Sequence, residues 1–444
     1  MFKLNFKIAL RNIWKNKISS LINISGLAIG LAACLLLLLY VAYEWNFDRQ
    51  TIDPSNTYKV LANTVSANGD IIIGTGESTT NAIAPLLKLN YSEVEAASRI
   101  DDIGKKLIAN GETSLKRKAL FADPDILKIF DFKFISGDIN SALAAPNNII
   151  VSESTAKALF GTADVLNKVV RYDNKIALKI TGVVKDLPGN TSVDFDFLMP
   201  WSLNEALNNW IKEPSWGNYN YRTMVRMEPG TDINQFNGRI KGVMKQHAAW
   251  SDIQLWLFPL RKLHLNDTFI KGVSVGGEIE QLRLFMGLAF GILLIACINF
   301  MNMATAKSEK RAKEVGIKKT IGATRSGLIN QFLMESMVLT VFSSIMGIVL
   351  IELCIPLFNN LLDIHLKIDY SNILIWISLV GVILLTGLIA GSYPAFYLSS
   401  FNPTEILRKR NLRGGLFSIS LRQVLVVSQF CFALIMIIAT AVNL

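Results

Sequence analysis

Five long apolar runs limit what this chain can become: residues 18–43, 285–306, 333–358, 373–397 and 423–444. Each is about 20 residues or longer, the length a helix needs to cross ~30 Å of hydrocarbon. Between the first two lies 44–284, a polar, mixed stretch of about 240 residues, enough for one large or two small domains. The first run is too long for a cleaved leader, and Tyr40, Tyr43 and Trp45 set an aromatic belt at its far end. It reads as a retained anchor. The expected fold is therefore an α-helical multi-pass membrane protein. A large α+β extracytoplasmic domain is inserted between the first and second spans.

Charge assigns sides. The net charge of +10 suggests nucleic acid only until it is mapped. Residues 1–17 carry Lys3, Lys7, Arg11, Lys15 and Lys17 and no acid. The basic excess recurs in 307–332 and 398–422, while 44–284 and 359–372 are close to neutral. Positive charge on alternate connections is the positive-inside pattern. It puts the N-terminus, 307–332 and 398–422 in the cytoplasm, and 44–284 and the short loop 359–372 outside. No basic face with interleaved aromatics supports nucleic-acid binding.

Residues 2–17 have helical periodicity, with Phe2, Phe6, Ala9, Leu10 and Ile13 on one side and the bases beside them. Such a helix lies in the inner headgroup layer, in contact with membrane lipid. A positive flank that merely orients the first span reads equally well. The outer segment alternates strand and helix signals. Residues 78–89 read as a helix capped by Ser78, Thr79 or Thr80, and 152–160 as a helix closed by Gly161. Residues 168–172 and 177–184 read as a hairpin around Asp173-Asn174. The mixture predicts α+β structure with repeated β-α-β units. From Leu187 the chain turns rich in Trp, Tyr and Asn, which predicts a second subdomain over about 187–258.

Residues 307–323, KSEKRAKEVGIKKTIGA, are a basic, helix-favouring tip between the second and third spans. Lys310/Glu314 and Glu314/Lys318 are i,i+4 pairs, each contributing about 0.3 kcal/mol. Gly316 is expected to interrupt the helix and Gly322 to end it, with Thr324 or Ser326 capping the next. Pro394 is expected to kink or stop the fourth span near its inner end.

The sequence holds no G-x-x-x-x-G-K-[ST] phosphate loop and no H-E-x-x-H. His247, His264 and His365 are far apart, and the four cysteines, Cys34, Cys297, Cys354 and Cys431, all lie in apolar runs. No catalytic, cofactor or metal site is expected, and the outer domain must hold together without disulfides. Glu335 and Glu352 are acids within the third run. They read either as interfacial groups reaching opposite surfaces or as groups serving helix packing or substrate passage.

Four stretches carry a resemblance: LRNIWKNKISSLINISGLAIG near the N-terminus, ITGVVKDLPGNTSVDFDFLMPW at 180–201 with LHLND at 263–267, RAKEVGIKKTIGATRSGLINQFLMES at 311–336, and GSYPAFYLSSFNPTEILR at 391–408. The third is the most specific. Together they resemble the MacB/FtsX-like permeases of ABC transporters, of the kind common in Bacteroidota. The resemblance implies an outer domain of two subdomains in a dimeric permease, driven by a separate cytoplasmic ABC ATPase that binds the ATP. The tip then becomes the expected coupling helix, with Lys310, Arg311, Glu314, Val315, Gly316, Ile317, Lys318, Lys319, Ile321 and Gly322 as its candidate residues. Val315, Gly316, Ile317 and Ile321 would dock in a groove of the ATPase.

Simple members of the family end soon after the fourth span. The fifth run, whose Leu421-Arg422-Gln423 echoes Leu10-Arg11-Asn12, is expected to open a second half. The chain would then be the N-terminal half of a longer duplicated permease, working as a homodimer or pseudo-dimer. Efflux of antibiotics, peptides or toxins, with a membrane-fusion protein as a further partner, is the first functional expectation. Lipoprotein extraction and control of an external cell-wall hydrolase follow it. A sensor without an ATPase would need an output domain, and no cytoplasmic segment exceeds about 26 residues.

Overall fold

The computed structural model describes residues 2–66, 71–111, 113–306, 308–400 and 421–442. They form two compact units, Tyr43–Gln281 and the remainder, Met1–Ala42 with Leu282–Leu444.

The unit Tyr43–Gln281 is built on one sheet. Its strands are β1 (Thr57–Val65), β2 (Ile72–Gly76), β3 (Val94–Asn110), β4 (Thr113–Ala122), β5 (Phe134–Gly137), β6 (Asn148–Ser152), β7 (Val169–Tyr172), β8 (Ile176–Val184), β9 (Phe197–Pro200), β10 (Arg222–Met227) and β11 (Ile253–Pro259). The order is β11-β1-β10-β3-β4-β9-β6-β8-β5, with β2 beside β1 and β7 bridging β3 and β8. Most pairs are antiparallel; β4–β9 and β6–β8 are parallel, so the α+β expectation holds. A small hairpin, β12 (Thr268–Ile270) and β13 (Val273–Gly276), closes the unit.

The long strand β3 joins two lobes. Its first half pairs with β10 and its second with β4, and the register shifts between Asp102 and Lys105, where Gly104 takes φ +68°. One lobe packs helices Ile83–Asn90, Ile233–Ile240 and Val243–His247 on β1, β10 and β11 around Val60, Leu87, Phe236 and Leu257. The other buries Phe197, Trp201 and Ile149 on one side and Phe130, Leu198 and Phe195 on the other. The lobes do not divide at Leu187. Residues 187–258 supply β9 to one lobe and β10 and β11 to the other, so they are not a contiguous subdomain. The reason is pairing: β10 finds partners in β1 and β3, more than a hundred residues earlier in the chain.

Local signals read well here. Ser152 caps helix Glu153–Phe160 by accepting from Thr155 N, and Gly161 ends it at φ +76°. Asp173 and Asn174 take φ +51° and +55° between β7 and β8, the double left-handed turn that suits a two-residue hairpin. The expected cap at 78–80 differs: the helix begins at Ile83 with no side-chain cap. Thr79 instead pairs with Tyr221 and meets the Thr223 hydroxyl at 2.7 Å.

In the other unit, helix Phe2–Lys15 leads through Asn16 into the first span, Lys17–Trp45. The second, third and fourth spans are Glu278–Ala306, Arg325–Leu362 and Ile373–Ser399. Among the described residues these four helices are long and apolar enough to cross a membrane. Residues Leu421–Val442 form a further apolar helix. The third span is about 57 Å long at 1.5 Å per residue, so it outreaches the hydrocarbon.

Small residues set the packing. A Cβ on Gly30 would stand 2.4 Å from Ala296 Cβ, so the first and second spans touch backbone to backbone there. Gly347 lies against Ala28 and Leu31, bringing the third span onto the first. Gly387 and Gly391, four residues apart, receive Met337 and Ser336 of the third span. The buried hydroxyls of Thr340, Ser343 and Ser344 bond to carbonyls four residues back, which satisfies them without interhelical partners. Pro394 lies inside the fourth helix, five residues before its last residue Ser399, so it does not stop the helix.

Candidate coupling site

The tip forms a helix, Ser308–Thr320. Gly316 does not interrupt it: the residue is buried, and packing outweighs the ~1 kcal/mol a helical glycine costs. Gly322, at φ +96°, follows the helix, and Thr324 caps the third span by accepting from Gly327 N at 3.2 Å.

One face of this helix is bound along its length. Arg311 grips Glu335 with both terminal nitrogens, Nη2 to Oε1 at 2.6 Å and Nη1 to Oε2 at 3.3 Å. Its guanidinium also lies 5.8 Å from the centre of the Phe332 ring. One turn on, Val315 is 1% exposed in a cluster with Leu328, Phe332, Ala395 and Leu398. A turn further, Lys319 Nζ donates to Ser399 O at the C-terminal end of the fourth span, at 2.7 Å, where the helix dipole favours a cation. Lys318 donates to Gln331 Oε1 at 3.2 Å and pairs with Glu314 at 2.9 Å.

The opposite face is open. Ile317 is 55% exposed and Ile321 81%, with Lys313, Glu314, Thr320 and Gly322 exposed beside them. The sequence grouped Val315 and Gly316 with the two isoleucines as docking residues. The structure separates them: Val315 and Gly316 face the chain's own core, and Ile317 and Ile321 face away from it. The Lys310 side chain lies outside the described residues.

Glu335 is buried and paired, and a small cleft of about 30 Å³ opens beside the pair, lined also by Asn12, Asn16, Asn23 and Ser336. That volume suffices for water. Asn23 Oδ1 is buried without a hydrogen-bond partner among the described residues. Glu352 is exposed and accepts from the Tyr370 hydroxyl in the loop before the fourth span; this bond pushes the Tyr370 phenol up to about 12. The Lys319 and Gln331 links were not anticipated from sequence. Their signal, a base in the last turn of one helix and an amide in the first turns of the next, is too common to find them. In the outer unit, the LHLND segment is anchored by His264, which pairs with Glu44 and stacks on Phe47 at 3.6 Å.

Residues 20–243 match the MacB-like periplasmic core domain, and 286–403 match the FtsX-like permease C-terminal family. The chain belongs to the MacB/FtsX-like family of ABC transporter permeases and is a multi-pass membrane protein of that type. The uncharacterised ABC transporter permease YknZ of Bacillus subtilis is 22% identical over 423 residues, covering 91% of this chain and 98% of its own. The macrolide export ATP-binding/permease protein MacB of Neisseria meningitidis serogroup B is 21% identical over 413 residues, 90% of this chain and 60% of its own. The periplasmic region of MacB from Actinobacillus actinomycetemcomitans aligns with 46% of this chain and 88% of its own, at 16% identity and TM-score 0.34.

Proposed function

We propose that this permease transmits ATP-driven motion from a separate cytoplasmic ATPase to its outer domain, and that it serves export. The N-terminus and the tip lie in the cytoplasm, and Tyr43–Gln281 lies outside, in keeping with the charge pattern. The chain carries no phosphate loop, which supports a reading in which the partner binds the ATP. The observation that carries this reading is the two-faced tip helix. Arg311, Val315 and Lys319 fix it to the bundle, while Ile317 and Ile321 stand exposed on the other side, an apolar anchor rimmed by charge. The cargo reading leans on the relatives, whose names include macrolide export and pyoverdine export proteins. A dimer, or a pseudo-dimer with a second permease half, completes the assembly. In the export setting a membrane-fusion protein is a further partner.

The test is Ile317→Asp and Ile321→Asp in the permease expressed with its ATPase. Both variants should reach the membrane at normal levels and lose at least tenfold of the stimulation of ATP hydrolysis. Normal stimulation in both would remove the coupling assignment.

A further inference from the structure

We infer that the tip helix and the third span move as one body, and that Glu335 is the positioning residue that makes them do so. This rests on the coupling role proposed above.

Three observations carry it. First, the Glu335 side chain is only 9% exposed, and both its oxygens are on Arg311. A two-toothed guanidinium–carboxylate pair fixes angle as well as distance. Pulling Arg311 away would strand a buried carboxylate in a helix that enters the membrane, the costliest way to break such a pair. Second, Arg311, Val315 and Lys319 are spaced by four and therefore share one stripe of the helix. They reach in turn a side chain of the third span, a core made by the third and fourth spans, and a backbone carbonyl at the end of the fourth. Third, Arg311 also covers Phe332, the ring on which Val315 packs, so the polar and apolar contacts share one residue of the third span.

A helix held at three successive turns cannot rock on one contact while keeping the others. A push on Ile317 and Ile321 therefore displaces the inner ends of the third and fourth spans directly. The tip acts as the bent end of a lever rather than as a separate rod that docks and leaves. The cleft beside Glu335 gives the pair a polar surround, so the charge is kept close to the hydrocarbon without being carried through it.

The experiment bridges the pair covalently. The native cysteines are replaced by alanine, Arg311→Cys and Glu335→Cys are introduced, and the two are joined by a bifunctional methanethiosulfonate reagent in membranes that also hold the ATPase. If the bodies move together, the unbridged double-cysteine protein has lost stimulation with its charge pair, and bridging restores it to at least half that of the cysteine-free permease with the pair intact. If the tip must leave the third span, bridging restores nothing, or lowers stimulation further until a reductant releases it, which overturns the inference. Charge variants supply the second arm. Glu335→Gln should still retain the ATPase yet lose stimulation at least fivefold, and Arg311→Glu with Glu335→Arg should recover most of it. Full stimulation in Glu335→Gln would also overturn the inference. If the unaltered permease neither retains nor stimulates the ATPase, the coupling reading itself falls and takes the inference with it. Retained coupling with a failed bridge removes the inference alone.

Discussion

The contact between Gly30 and Ala296 gives the most quantitative test of the membrane unit. A methyl group on Gly30 would lie 2.4 Å from Ala296 Cβ and 3.7 Å from its Cα. Carbon atoms pack at ~3.5–4.0 Å, so Gly30→Ala must push the first two spans apart by about 1 Å or more. Overpacking of this kind costs about 1–3 kcal/mol. The gain in helix propensity returns about 0.8–1 kcal/mol of that. The control is Gly26→Ala, one turn earlier, where a Cβ meets nothing within 4 Å. That variant should be neutral or slightly stabilised. The decisive variant is Gly30→Ala combined with Ala296→Gly, which moves one methyl group from one helix to the other. It should recover most of the loss, for a coupling energy of about 1–3 kcal/mol in the double-mutant cycle. Reversible unfolding in mixed denaturing micelles would measure the unaltered protein, Gly26→Ala, Gly30→Ala, Ala296→Gly and the double variant. Equal behaviour of Gly26→Ala and Gly30→Ala, or no recovery in the double variant, would refute the close backbone approach.

Val315→Asp should lower the amount of permease in the membrane, because it places a carboxylate in the core of Leu328, Phe332, Ala395 and Leu398; Ile321→Asp should not, and quantitative blotting separates the two. Gly137→Ala should prevent folding of the outer domain or cost more than about 2 kcal/mol, because a Cβ there meets Thr181 O at 2.4 Å and the backbone sits at φ +102°; export and protease resistance report it. Burial pushes the Asp125 carboxyl up, but the bonds from Lys88 and Lys128 outweigh it and hold it below its usual range. A depressed folded-state value means stabilisation that is present above the ordinary carboxylate range near ~4 and lost as pH falls through the lowered value. Asp125→Asn should therefore destabilise the outer domain at neutral pH, and its melting midpoint should converge with that of the unaltered protein in acid.

What was legible in the sequence was whatever is decided locally. The apolar runs announced the spans because length and composition alone settle that question. Ser152, Gly161, Thr324 and the Asp173-Asn174 turn did what their chemistry demands within four residues of chain. The sheet order was not legible, since β10 lies between β1 and β3 only through contacts made across more than a hundred residues. The tip gave the same lesson at shorter range. Its helix and its charge could be read, but which side faces inward is fixed by the phase of the helix against the third and fourth spans. Val315 and Ile321 look alike in sequence and differ completely in exposure. Glu335 was visible as a membrane acid, but its partner sits 24 residues earlier, across a turn.

The first and last strands of the outer sheet lie side by side. β1 begins near the end of the first span and β11 ends before the second, and Tyr58 is paired with Pro259 at the start of a ladder that runs to Thr64 and Ile253. Both chain ends thus leave from the same end of one ladder. Pulled apart sideways, such a ladder opens one rung at a time, beginning at Tyr58 and Pro259. Drawn in the same direction together, it carries no load between its strands.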